Sequence, residues 1–314
     1  MRSFFPKSML SMALLLTIHC LLPAQVSITL GSGTNVTGGY NPSPINIYYR
    51  SHHAQMVYTA AEIMAAGGYG GTISHLGFYV EGAPSYALPN FTVSMKHTAA
   101  AGVAGGHDAG PYTTVYYRGS YLPVAGGFDM LDLDTDFNWN GIDNILVDVC
   151  FSTVPFYTAT GTVRYYTEAN GYRYFWNDNF NTCGYTTANL TSEKPQLRLT
   201  FQPNAADDAA VVSIDGLSSI CPGAHSIAAT IRNAGMNNLT SADLACTIGG
   251  VPFGTVTFTG NLSPGQTAQV VFTGTHTFVA GATELVEVTV SNPSGVADGN
   301  NVNDAQSLSV TPAM

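Results

Sequence analysis

FDMLDLDTDFNWNGIDNILVDVCF, residues 128–151, decides the fold class of this chain. Leu131, Leu133, Phe137 and Trp139 are spaced among acids, the pattern of a strand with one buried face. Asn140-Gly141 supplies a turn. Ile145–Phe151 is then a short apolar run carrying Cys150. A stretch this apolar belongs in the middle of a sheet.

The segments around it read as its partners. Upstream, Val26–Leu30, Ile45–Arg50, Gln55–Thr59, Thr72–Val80, Asn90–His97 and Thr113–Arg118 have strand composition, broken by Gly, Asn and Pro. Ala60–Ala66 is the one good helical stretch, about two turns ending at Gly67-Gly68. Downstream, Thr162–Thr167 and Tyr172–Asn177 flank Glu168–Gly171, where Asn170-Gly171 predicts a hairpin turn. Gln196–Phe201 closes the unit. About ten short strands with one helix predict an all-β, jelly-roll-like β-sandwich over residues 25–202.

Residues 203–208 lack periodicity and mark a linker. Beyond them, residues 209–314 trade aromatics for Val, Thr, Ala and Gly. Seven strands are expected there: Ala210–Ile214, Ser226–Asn233, Ala242–Ile248, Gly254–Thr259, Thr267–Thr273, Glu284–Ser291 and Ala305–Val310. Count and spacing predict a seven-stranded, immunoglobulin-like β-sandwich.

Composition narrows function. Only 10% of the 314 residues are charged, and the formal net charge is −10. So few Lys and Arg cannot neutralise many phosphates, which excludes ordinary nucleic-acid binding. Arg2 and Lys7 precede the apolar run Met9–Leu22, and small Ala24 precedes Gln25; residues 1–24 read as a secretory signal peptide. Its removal makes the charge −12, since both basic residues go and no acid does. No later run is long and apolar enough for membrane insertion, so the mature chain is expected secreted or on the cell surface.

Four cysteines remain after that removal. An even number in an exported chain predicts disulfides, Cys150–Cys183 and Cys221–Cys246. Neither pair has the C-x-x-C spacing of a zinc site.

A resemblance adds to these readings. Ile231-Arg-Asn233-Ala-Gly235, Leu262-Ser-Pro264-Gly265 and Asn292–Asp298 leading to Asn303-Asp304 resemble the turn motifs of CARDB-type, cell-adhesion-related domains of bacterial surface proteins. Ile73–Phe78, Asn90–Met95 and Phe137–Phe151 resemble the N-terminal sandwich of large exported proteins of Gram-negative bacteria. Proteins of that kind often end in a type IX sorting domain, and none follows here, so the chain is read as a short member or a piece of a longer protein. The resemblance implies a non-catalytic adhesion or surface protein with an extracellular protein or glycan as partner.

Three candidate sites follow from the residues. Asp132, Asp134, Asp136, Asn138, Asn140 and Asp143 fall at positions 1, 3, 5, 7, 9 and 12 of a calcium-loop spacing, which makes Ca2+ the candidate cofactor. Phe137 stands where that loop needs glycine, and the same acids fit the solvated face of a strand. Tyr166, Tyr172, Tyr174 and Trp176 crowd one predicted hairpin, where exposed rings would stack on sugars; the alternative function is a carbohydrate-binding module, within a longer enzyme-bearing chain. Core packing and cross-strand pairing fit those rings equally. Asp298–Asp304 is a second oxygen-rich loop, read as turn chemistry. The eight histidines form no H-E-x-x-H, and no G-x-S-x-G or phosphate loop occurs; no enzyme is expected.

Overall fold

The computed structural model describes residues 25–38, 43–155 and 159–313; the expected signal peptide lies outside them. The first unit contains β1 (Val26–Leu30), β2 (Asn35–Val36), β3 (Ser51–Tyr58), α1 (Ala60–Ala65), β4 (Gly71–Pro84), β5 (Leu88–Thr98), β6 (Thr113–Tyr121), β7 (Gly127–Trp139), β8 (Asn144–Phe151), β9 (Thr160–Asn177), β10 (Asn189–Pro195) and β11 (Leu197–Gln202). Its strands form one continuous sheet in the order β1-β11-β4-β9-β3-β8-β5-β6, with β7 on β4 and with β2 and β10 on β9. The sheet closes over itself. Ile28, Leu76 and Leu197 from one half share a buried cluster with Met56, Val93 and Val147 from the other.

The stretch that decided the fold class crosses between these halves. β7 pairs with β4, whereas β8 lies between β3 and β5. The corner is locked by its own side chains. The Trp139 indole donates to the Asp143 carbonyl at 2.7 Å, and Asn140 and Asp143 bond each other through side chain and backbone. Gly141 takes a φ of 74° there, which glycine adopts without steric penalty.

β9 corrects the expected hairpin. Residues 160–177 are a single strand, with Asn170 at a φ of 54°. The Asn170-Gly171 signal produces an irregularity in the ladder rather than a reversal. Partner β10 shifts register between Thr191 and Glu193 to follow it.

The helix is short but well capped. The Thr59 hydroxyl accepts from the Glu62 amide, and the Glu62 carboxylate accepts from the Thr59 amide, a capping box. The same carboxylate holds Lys194 at 2.9 and 3.0 Å and accepts from the Tyr166 hydroxyl at 2.8 Å. Lys194 comes from β10, its side chain is 1% exposed, and its ammonium also faces the rings of Tyr58 and Tyr166. Burial lowers the Lys194 pKa, and Glu62 opposes that shift. One ion pair thus fastens α1 to the sheet.

The second unit holds β12 (Ala209–Asp215), β13 (Gly223–His225), β14 (Ala228–Asn233), β15 (Leu239–Ile248), β16 (Val251–Leu262), β17 (Thr267–Val271), β18 (His276–Phe278), β19 (Glu284–Ser291) and β20 (Ala305–Val310). All seven expected strands are present; the β13–β18 ribbon is additional. Sheets β12-β14-β17 and β16-β15-β19-β20 enclose Ile231, Leu244, Cys246, Phe272, Val286 and Val288. This is the all-β, immunoglobulin-like arrangement that the turn spacing predicts.

The two units are in direct contact. Residues 205–207 accept backbone hydrogen bonds from Met236, Asn237 and Gly299, so this short connection is packed along its length. Arg232 donates to the Gly67 carbonyl and its guanidinium faces Tyr69, while Asn300 donates to the Gly70 carbonyl at 3.0 Å. Ala210 and Ala234 complete the core of the first unit.

The ion pair generates a prediction. Glu62→Gln leaves a buried ammonium without its counter-charge and is expected to destabilise by about 3 kcal/mol. Lys194→Met keeps an apolar stem of similar length and leaves Glu62, whose side chain is 27% exposed, access to water. Denaturant unfolding should therefore rank Glu62→Gln as the more damaging change; equal losses would contradict this account.

Candidate functional site: a histidine cleft beside the disulfide

The three expected sites are rearranged by the fold. Asp132, Asp134, Asp136 and Asn138 all lie on β7. The ladder pairs Asn138 with Thr72 and Asp132 with His75, so β7 bulges between them, and the two residues face positions only three apart on β4. Among the described residues these acids do not come together as a group of three or more that could hold a metal ion. The acids find other partners. Asp134 accepts from Arg118 at 2.7 Å, Asn138 from Thr72 at 2.8 Å, and Asn140 and Asp143 bond each other.

The aromatic residues form a packed row, not an exposed platform. Tyr172 is fully buried, with its hydroxyl 3.2 Å from His52 Nε2. Tyr166 is engaged by Glu62. Tyr174 stacks on Trp176 at 4.4 Å and Tyr49 stacks on it at 4.8 Å, with interplanar angles of 26° and 4°. Two parallel rings at those separations cannot share one face of an indole, so both faces of Trp176 are covered. Of the carbohydrate-stacking set, Tyr172 is corrected because it is buried, while Tyr166, Tyr174 and Trp176 are half-buried.

Of the expected disulfides, Cys150–Cys183 is formed. Cys221 and Cys246 are free thiols. The Cys246 side chain points into the core of the second unit, where burial pushes its pKa up to about 11, while Cys221 is exposed in a loop. The alternation on β15 directs Cys246 inward, and the loop holding Cys221 stays outside; that corrects the second bridge.

The formed disulfide borders a cleft of about 210 Å³ that sequence reasoning did not assemble. His53 on β3, Asp148 on β8, His107, Asp108 and Tyr112 from the loop before β6, and residues 183–186 line it. The pairing of β3 with β8 places Gln55 opposite Asp148 and His53 opposite Cys150. His53 Nε2 lies 2.7 Å from Asp148 Oδ2, and the Gln55 amide donates to the same oxygen at 2.6 Å. Gln55 Oε1 in turn accepts from Arg173 Nε at 2.7 Å and from the Asp108 amide at 2.8 Å. Arg173 also donates to the Ala104 and Gly106 carbonyls, which anchors the loop bearing His107. Lys96 closes the network on Asp108 at 2.7 Å.

His53 and His107 stack face to face at 3.9 Å. Their tautomers follow from their partners. His107 Nδ1 faces the Thr187 carbonyl at 2.8 Å, which can only accept, so Nδ1 carries the proton. Asp148 fixes the His53 proton on Nε2 in the same way. The remaining nitrogens, His53 Nδ1 and His107 Nε2, are buried acceptors without a hydrogen-bond partner. Burial, and then His53, lower the His107 pKa to about 4; burial lowers that of His52, on the opposite face of β3, to about 3. The wall therefore presents the unpartnered imidazole nitrogens beside the Asp148 and Asp108 carboxylates. Among the described residues, no group of three or more His, Cys, Asp or Glu side chains is placed to hold a metal ion.

With the geometry established, the family comparison is direct. Residues 209–308 match the CARDB family model. Among solved structures, a CARDB domain from Pyrococcus furiosus in complex with di-metal ions is 18% identical, with a TM-score of 0.29, covering 34% of this chain and 89% of its own. A domain named for a cell-surface protein of Methanosarcina acetivorans is 24% identical, with a TM-score of 0.30, over 34% of this chain and 91% of its own. A GH2 beta-galacturonidase from Eisenbergiella tayi is 10% identical, with a TM-score of 0.28, over 92% of this chain and 43% of its own. No relative was found among curated proteins. The CARDB match covers the second unit; the histidine cleft lies in the first. No helix among the described residues is long and apolar enough to cross a membrane.

Two predictions follow from the cleft. The Cys150–Cys183 bridge spans 33 residues, and closing such a loop contributes about 3–4 kcal/mol on the chain-entropy model. Cys183→Ser should lower the midpoint of thermal unfolding, and dithiothreitol should lower the wild-type midpoint but leave the mutant unchanged.

The second concerns pH. His107 is neutral when folded and protonates near 6.5 when unfolded, so between about 6.5 and 4 the unfolded state binds the extra proton. Stability from this group is complete above about pH 6.5 and is lost as pH falls towards 4. His107→Gln removes that proton uptake. The melting temperature of wild type minus mutant should therefore decline across this window; a constant difference would show that His107 does not titrate this way.

Proposed function

We propose that this chain is an exported, surface-associated, non-catalytic protein in which a CARDB module and an N-terminal β-sandwich act as one binding unit for an extracellular protein or glycan. The observation that carries this reading is the CARDB match over residues 209–308. Two further features support it. The charged-then-apolar pattern of residues 1–24 is that of a secretory signal. A formed disulfide in the first unit suits an oxidising compartment.

A rigid junction suits adhesion, because a partner then meets both units in one orientation and no inter-unit entropy is lost on binding. The aromatic row contributes to this function through stability, since its rings face one another. A small polar ligand would instead enter at the histidine cleft, where His53, His107, Asp108 and Tyr112 line the wall.

Export is testable at the N-terminus. Mass spectrometry of protein from the native host should give a mature chain beginning near Gln25, and protease added to whole cells should remove it. Recovery of intact Met1 in a protease-protected pool would reject the proposal.

A further inference from the structure

The histidine cleft carries an imbalance of hydrogen-bonding groups that its own residues do not resolve. Its walls are anchored to each other. The His107 amide donates to the Thr186 carbonyl at 2.6 Å, and His107 Nδ1 donates to the Thr187 carbonyl at 2.8 Å. The start of the same segment is tied to the sheet twice, by the Cys150–Cys183 bridge and by the Thr182 amide, which donates to Ser51 Oγ at 3.0 Å. The space left between these walls is about 210 Å³.

The long donors around it are spent. Arg173 gives its hydrogens to Gln55 and to two backbone carbonyls, and Gln55 gives its own to Asp148, Tyr112 and the Asp108 carbonyl. The acceptors are not. Asp148 takes both of its hydrogen bonds on Oδ2, from His53 Nε2 and from Gln55. Asp108 takes Lys96, Tyr112 and the Gly110 amide all on Oδ1. Among the described residues, no hydrogen bond reaches Asp148 Oδ1 or Asp108 Oδ2, and no Lys or Arg lies within ion-pair distance of Asp148.

The stacked imidazoles make the excess larger. His53 is 5% and His107 6% exposed, both line the cleft, and each has one ring nitrogen with no donor. Buried acceptors without a donor are rare in native proteins, because each loses its water and gains nothing in return. An anion would be repelled by both carboxylates. Among the described residues, no group of three or more side chains is placed to hold a bare metal ion. The chemistry that fits is a positive charge that brings its own hydrogens.

We propose that the cleft binds the head of an organic cation, an alkylammonium or guanidinium group, whose N–H donors meet Asp148 Oδ1 and Asp108 Oδ2. Tyr185, which also lines the cleft and is 44% exposed, offers a ring to the cation or its stem. The volume is below the roughly 300–1,000 Å³ of pockets that enclose a drug-sized ligand, so it suits a head group on a stem that leads outward. Free amines and the Lys or Arg side chains of an extracellular polypeptide share this chemistry. The proposal rests on the reading of the cleft as a ligand entrance, and it does not depend on export.

Binding is read on the full, oxidised chain by isothermal titration and by shifts of the histidine ring resonances. The probes are methylguanidinium and ethylammonium chlorides. Two controls run at matched ionic strength: methylurea, an uncharged near-isostere of methylguanidinium, and tetramethylammonium, a cation without N–H. Wild type should bind both probes, and both controls about tenfold more weakly or not at all. Asp148→Asn keeps an oxygen for His53 and Gln55 and should weaken the probes by about tenfold. Gly184 lines the cleft, and an added Cβ there meets nothing within 4 Å, so Gly184→Leu should fold as wild type and obstruct the probes. A blocked Gly-Arg-Gly peptide that binds more tightly than methylguanidinium supports a polypeptide as the source of the cation; one that binds more weakly supports a free amine. Equal binding of methylurea would overturn the proposal but leave the cleft a polar ligand site. Equal binding of tetramethylammonium would overturn recognition through N–H donors. No binding by any compound would overturn both the proposal and the reading it rests on, and affinity unchanged in both variants would remove the cleft as the place of binding.

Discussion

The architecture of the first unit depends on β9 being one long strand. It hydrogen-bonds β4 through residues 160–163, β2 and β10 through its middle, and β3 through residues 172–177. Its 18 residues, bulged around Asn170, are more than one layer of a small sandwich uses. The excess carries it from one half of the folded-over sheet to the other. Tyr172, Tyr174 and Trp176 then line one face, and Arg173 is delivered to the opposite face beneath the histidine cleft. The two halves cannot separate without breaking the backbone ladder of this strand.

Buried polar groups divide into two kinds in this molecule. Around Gln55 nearly every donor meets an acceptor: Arg173, Asp148, Asp108 and Tyr112 are all engaged, and Lys96 balances the charge. Such a network rigidifies what it joins, here the loop of His107 against three strands. At the junction the account closes less well: Asp208 Oδ2, Asn303 Oδ1 and Asp304 Oδ1, and the donors Tyr69 hydroxyl and Arg232 Nε, are buried without a hydrogen-bond partner.

Much of the fold was legible in residues 209–314, where Cys221-Pro-Gly, Ser263-Pro-Gly and Asn292-Pro-Ser-Gly mark turns between alternating runs, and the seven expected strands are found. The first unit was less legible. Asn170-Gly171 has the composition of a hairpin turn, but pairing with β3 and β10 on either side keeps the strand running, a tertiary override of local preference. The β7 acids matched a calcium spacing because alternate residues on a strand have the same period as alternate ligands in a loop. Thr59 and Glu62 did carry a local signal, the three-residue spacing of a capping box, which marks the helix start.

The sequence by itself determined what depends on neighbours along the chain: strand content, turn positions, the inward face of β15 with Cys246 on it, the opposite directions of His52 and His53, and the acidic, Lys-poor composition. Only the tertiary structure decided which residues meet across long separations. His53 and His107 share a stack, Cys183 reaches Cys150 but Cys221 does not reach Cys246, and Asp208 faces Asn303 from 95 residues away. The physical reason is the same in each case. Alternation along a strand says which face a side chain occupies, but register between strands and the docking of one unit on another decide what that face meets.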